Sequence, residues 1–215
     1  MKTAKKAMLM TLCAIILVVA TVFGTMAYLT SDDEVVNTFT VGKVAIKLDE
    51  AKANTDGSLV TGADRVKANS YKLLPGHTYN KDPMVTLLKG SETSYVKMTV
   101  TFSKANELDA IFAANGGADL TSIFKGYDAA NWTAKGNTKD ATANTRTYEF
   151  WYKEAVGAPE ADVALDALFD SITVPDSITK EQLADIEGMT ITVNAYAIQA
   201  DGFDTADEAW VAFSA

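Results

Sequence analysis

The stretch Gly24 to Glu50, GTMAYLTSDDEVVNTFTVGKVAIKLDE, joins two kinds of sequence that belong to different solvents. Before Ala27 runs an apolar segment whose only charges, Lys2, Lys5 and Lys6, lie at its front. After Asp32 apolar and polar residues alternate, as a half-buried strand requires. The N-terminal part suits a membrane, and Phe39 to Leu48 reads as the first strand-like piece of a folded part.

Outward from that junction, Met8 to Phe23 forms an apolar h-region behind the lysines, and Thr25-Met26-Ala27 a small-x-small cleavage signal. This is the pattern of a secretory signal peptide over 1–27, cut after Ala27 or beside it so that Tyr28 begins the mature chain. The alternative is an uncleaved anchor, because Ala7 to Leu29 approaches the ~20 apolar residues of a spanning helix. Cleavage is the favoured reading, and membrane contact is then expected only through the uncleaved leader. Cys13, the single cysteine, lies inside the apolar run, so the mature part carries neither disulfide nor thiol chemistry.

The chain has 215 residues, with 19 basic and 28 acidic. Removing the leader and its three lysines leaves 188 residues and a net charge of 16 minus 28, about −12. One domain over 28–215 fits that length. So negative a surface repels nucleic acid and anionic lipid, so neither is an expected partner.

Val96, Met98, Val100 and Phe102 alternate with Lys97, Thr99 and Thr101, which predicts a strand with one core face and one solvent face. Tyr71 to Leu74, Met84 to Leu88 after Asp82-Pro83, Thr145 to Lys153 and Ile172 to Val174 read as further strands. Met189 to Gln199 is apolar on both faces, the habit of a central strand. Asp56-Gly57 predicts a hairpin turn and Pro75-Gly76 a type II turn. Leu108, Ile111 and Phe112 fall at helical spacing, with a break at Gly116-Gly117 and a second helix from Leu120 to Phe124. Pro159-Glu160 opens another predicted helix with Leu165, Leu168 and Phe169 as its stripe. Thr179-x-x-Gln182 and Thr205-x-x-Glu208 are capping boxes, and Asn131 to Asn144 reads as an exposed loop. The sum is a mainly β fold: an antiparallel β-sandwich of jelly-roll type with short helices inserted in its loops, preceded by an N-terminal signal helix.

Two ends of the chain carry a family resemblance. The lysine-rich leader, Gly24-Thr25-Met26-Ala27-Tyr28, the acidic Asp32-Asp33-Glu34 and Asn37-Thr38-Phe39-Thr40-Val41-Gly42-Lys43-Val44 together resemble the TasA/camelysin family of Gram-positive secreted proteins. Val193 to Phe203 and Ala209-Trp210 are similar to members of that group. The resemblance implies a jelly roll, processing by a dedicated SipW-type signal peptidase, and a role as a secreted protein of the cell surface or biofilm matrix. It also implies fibres in which the mature N-terminal segment completes a neighbour's sheet, so that the partners are copies of the chain or related matrix subunits. The physics suits residues 28–38: an extended segment added to an open sheet edge pairs its backbone in register and inserts alternate side chains. Leu29, Val35, Val36 and Phe39 are the expected anchors, and head-to-tail contacts of this kind do not close.

Enzymatic readings are weaker. Camelysin-like relatives have been classed as metallopeptidases, but zinc hydrolysis needs about three protein ligands, commonly two histidines one helical turn apart plus a glutamate. This chain has only His77, in the Pro75-Gly76 turn. No catalytic residue and no cofactor is therefore expected. Asp201, Asp204 and Asp207 around Gly202 are spaced as in calcium loops, which would suit a calcium-stabilised adhesin, yet they lack the terminal glutamate of an EF-hand and also read as helix capping. Trp132, Trp151 and Tyr127 could stack on sugars, although strand aromatics usually pack in cores or across strands.

Overall fold

The computed structural model describes residues 42–114 and 120–213. They form a mainly β architecture of antiparallel ladders with a few short helices. The leader, the Gly116-Gly117 break, and the cleavage and anchor residues Ala27, Tyr28, Leu29, Val35, Val36 and Phe39 lie outside the described residues.

Eleven strands are described. Strands β1 (Ile46–Asp49), β3 (Met84–Leu87) and β9 (Val163–Ala164) make one sheet in the order β1-β3-β9. A second has the order β2-β10-β5, from Thr78–Asn80, Ser171–Thr173 and Phe124–Lys125. The largest has the order β11-β4-β7-β6, from Ile191–Gln199, Ser91–Ser103, Thr145–Tyr152 and Trp132–Asp140, with β8 (Val156–Ala158) also paired to β4. All pairings are antiparallel.

β4 organises the core. Val96, Met98, Val100 and Phe102 are 0% exposed, and residues from all three sheets join them in one apolar cluster. Its opposite face is not open to solvent as the alternation predicts. Lys97 there is only 8% exposed, covered by Trp210 of the last helix, α3 (Ala206–Phe213). The helical spacing at 108–112 is realised in α1 (Ala105–Ala114), which buries Leu108, Ile111 and Phe112. The Thr179 box is realised in α2 (Lys180–Asp185), with Thr179 Oγ1 accepting from the Gln182 N–H and Gln182 Oε1 accepting from the Thr179 N–H. At α3 the Glu208 N–H donates to Thr205 Oγ1, while the Glu208 carboxylate accepts from the Asp204 N–H rather than from Thr205. The Asp56-Gly57 turn forms, closed by the Gly57 N–H donating to Asn54 O at 2.9 Å and by the Ala53–Leu59 bridge.

Several sequence expectations are corrected. Asn131 to Asn144 is not a loop but mostly β6, an exposed edge strand ordered by its ladder to β7 with an irregularity between Ala134 and Gly136. Pro159 to Phe169 forms no helix. Leu165 and Leu168 donate their N–H groups to Val85 O and Pro83 O, so their burial comes from lying along β3 and not from a helical stripe. Leu120 to Phe124 is a single 3₁₀ turn (Leu120–Ile123) running into β5. Tyr71 to Leu74 is irregular, because tyrosine hydroxyls take the place of a ladder: the Tyr79 hydroxyl donates to Lys72 O and accepts from the Leu74 N–H, each at 2.7 Å. The turn after it forms as read, with Gly76 at φ 72° and the His77 N–H donating to Leu74 O. Finally, β11 is not central; among the described residues it is an edge.

Candidate functional site: an apolar cleft at a sheet edge

The first two residues of β11, Ile191 and Thr192, border a cleft of about 940 Å³. Its floor is Leu108 and Phe112 of α1 with Ile172 and Val174 around β10. One wall is the segment 68–74; the other is Ile178, α2, Ile186 and the chain into β11 at Met189 to Thr192. The floor is buried, whereas Tyr71, Leu73, Met189 and Ile191 on the walls are only half-buried.

The register shows how far. On β11, Ile191, Val193, Ala195 and Ala197 stand directly across from Phe102, Val100, Met98 and Val96 on β4. The β4 residues are fully buried, whereas their β11 partners are only half-buried. Ile46 and Leu48 of β1, and Tyr71, Leu73 and Met189 at the cleft, are half-buried in the same way. β1 is an edge of its own sheet and lies near β11, yet among the described residues the two strands share no ladder. Among the described residues β1 and β11 are thus both edge strands, and the core-facing row of β11 is only half-buried.

A charge network fastens the 51–74 segment that makes the first wall. The Arg65 Nε–H donates to Asp49 Oδ1 at 2.6 Å and its Nη1–H to Asp82 Oδ2 at 2.8 Å, while Nη2 reaches both backbone carbonyls, at 3.2 and 2.8 Å. Burial works to raise the Asp49 carboxyl, but hydrogen bonds from Lys47 and Arg65 outweigh it and hold the group below its ordinary range. Beside them, Lys81 Nζ contacts Glu50 Oε2 at 2.5 Å, both residues being buried. The Tyr71 phenol is pushed up by burial first and then by the Glu50 charge; its hydroxyl donates to Asn80 O at 2.6 Å. The wall is thus pinned by ions and phenols.

The other sequence candidates do not converge on the cleft. His77 is solvent-exposed in its turn, its ring 6.3 Å from that of Tyr79. Asp204 is exposed at the start of α3, and Asp201 is exposed in the turn before it. Asp207 pairs with Lys135 at 3.4 Å. Among the described residues no three His, Cys, Asp or Glu side chains are grouped to hold a metal ion. Trp132 is 1% exposed and donates its indole N–H to Asp166 O, so it offers no stacking face; Trp151 carries Lys135 Nζ 3.9 Å from its ring. No described helix is long and apolar enough to cross a membrane. Sequence reasoning missed the cleft and the Glu50–Lys81 pair, because both are assembled from segments far apart in the chain.

Compared with known protein families, curated proteins and solved structures, the chain matches none.

Proposed function

We propose that the chain is a secreted structural protein of the cell surface or biofilm matrix that joins to copies of itself by donor-strand complementation. The mature N-terminal segment from Tyr28 to Phe39, with Leu29, Val35, Val36 and Phe39 as anchors, adds to the β11 edge of a neighbouring subunit. The scaffold is a sandwich of jelly-roll type that lacks one strand until the neighbour supplies it. Removal of the leader frees the donor, so cleavage is the assembly switch. No catalysis and no metal enter this reading.

One observation carries the proposal: the core-facing row of β11 is half-buried while its partners across the ladder on β4 are fully buried. Apolar surface left open beside an unpaired strand favours whatever covers it, by about 25 cal/mol per Å² removed from water. An added strand covers it and pairs the edge backbone in one step. The contact is head-to-tail and leaves each subunit with a free donor and a free acceptor, so it propagates.

The test uses the mature chain beginning at Tyr28, concentrated and viewed by negative-stain electron microscopy beside a variant lacking 28–37. Filaments are expected from the first and single particles from the second, with a Val193→Asp variant also failing to polymerise. Filaments formed equally by the deletion variant would refute the donor role.

A further inference from the structure

We propose that Lys81 and Asn69 become joined by an intramolecular isopeptide bond whose formation Glu50 promotes. The three side chains already form a connected set. Glu50 Oε2 contacts Lys81 Nζ at 2.5 Å, and Glu50 Oε1 accepts from Asn69 Nδ2 at 3.0 Å. Amine and carboxamide therefore lie against the two oxygens of one carboxylate. Lys81 is 7% exposed and Glu50 4%, so water competes little for either. The carboxamide is also oriented: the Ala53 backbone N–H donates to Asn69 Oδ1 at 2.9 Å, and Nδ2 donates to Ala51 O at 2.8 Å.

Each group has a place in the reaction. Proton transfer from Lys81 Nζ to Glu50 leaves a neutral amine, which attacks Asn69 Cγ. Negative charge then develops on Oδ1, where the Ala53 N–H already points, as an oxyanion donor does. Glu50 returns its proton to Nδ2, the Cγ–Nδ2 bond breaks, and the nitrogen leaves as ammonia. Ammonia takes up the second proton shed by Nζ, so ammonium and an Nζ–Cγ amide are the net products. No oxidant, metal or cofactor is consumed. Glu50 acts as general base and then general acid, and it touches both reacting nitrogens.

The backbone holds two of the three residues in place. Glu50 exchanges both backbone hydrogen bonds with Val66, and Lys81 follows β2 with its own N–H on Asp170 O. The bond would tie the wall segment 68–74 to the end of β2, closing a covalent loop around Tyr71 and Tyr79. It does not depend on the assembly reading.

Intact-mass spectrometry of the folded, secreted chain, followed by tryptic mapping, tests the proposal. The expected result is a mass lower than the sequence requires by about 17 Da, that of the ammonia lost. It comes with a branched peptide in which 68–72 is attached to 73–89, because trypsin does not cut after an acylated Lys81. Lys81→Arg, Asn69→Ala and Glu50→Gln variants are each expected to keep the full mass. A succinimide at the Asn115-Gly116 step loses the same mass but leaves no branched peptide and survives Lys81→Arg. A wild-type chain at full mass after prolonged incubation, or a loss without the branched peptide, overturns the proposal. A branched peptide in folded Glu50→Gln overturns the role of Glu50. The wild-type readout needs no variant to fold.

Discussion

Replacing Arg65 with Met is the sharpest test of how the cleft wall is held. The change removes hydrogen bonds to Asp49 Oδ1 at 2.6 Å and Asp82 Oδ2 at 2.8 Å, together with those to both backbone carbonyls. The Asp49 side chain, 3% exposed, keeps only Lys47 at 2.6 Å, itself half in solvent. Breaking a fully buried pair costs about 3–5 kcal/mol; with Lys47 remaining and Arg65 partly exposed, about 2–3 kcal/mol is expected. Urea denaturation at neutral pH measures it, and the melting temperature should fall by roughly 4–12 °C for a domain of this size. The cost should also depend on pH. The folded Asp49 carboxyl titrates below its ordinary value, so the unfolded chain binds more protons across that interval. The contribution is complete above the ordinary carboxylate range and is lost as pH falls through the lowered folded value. Arg65→Met should therefore cost less near pH 2–3 than near pH 7, and Asp49→Asn should couple to it in a double-mutant cycle. A cost below about 0.5 kcal/mol at neutral pH, or one unchanged by acid, would refute an Asp49-centred fastening.

Other expectations follow from single contacts. Gly57→Ala should destabilise far more than Gly62→Ala, since both have positive φ but a Cβ on Gly57 would sit 2.6 Å from Tyr79 Cα whereas that on Gly62 meets open space; chemical denaturation should give about 1 kcal/mol for Gly62 and several for Gly57. Trp210→Ala should cost about 3–5 kcal/mol and raise hydrogen exchange along 206–213 and β11, because that indole covers Lys97 Nζ at 4.6 Å. His77→Ala should leave stability within about 0.5 kcal/mol in the same measurement, as expected for an exposed turn residue. Millimolar calcium should leave the melting temperature unchanged; a rise abolished by Asp204→Asn would restore Asp201, Asp204 and Asp207 as ligands.

The parts legible in the sequence are those whose hydrogen bonds or burial are local. The Thr179 box is readable because donor and acceptor lie three residues apart. β4 is readable because one of its faces is wholly buried, which forces strict alternation. β6 fails that test: eight of its nine residues are exposed, so no alternation marks it, and its order comes from β7. The Leu165, Leu168 and Phe169 spacing misleads for the opposite reason. Irregular chain lying along β3 can bury residues at helical intervals without turning a helix. Glu50, Asn69 and Lys81 are ordinary residues of unremarkable local sequence. They meet only because the Glu50–Val66 bridge and β2 bring together positions 19 and 31 residues apart.

The misreading of β11 bears on function. Its sequence is apolar on both faces, as in a strand with neighbours on either side, yet among the described residues it has one neighbour. One row is accounted for by α3, whose Phe213 ring lies 5.7 Å from that of Tyr196. The other row, Ile191, Val193, Ala195 and Ala197, faces the core and is half-covered. Nor does β11 carry the usual protections of an exposed edge: it has no lysine, no proline and no shift in register along its nine pairs with β4. β6, the opposite edge, has two lysines and an irregularity. The sheet therefore guards one border and leaves the other regular and without those protections. Under the proposed assembly, β11 has the composition of an interior strand because in the fibre it is one.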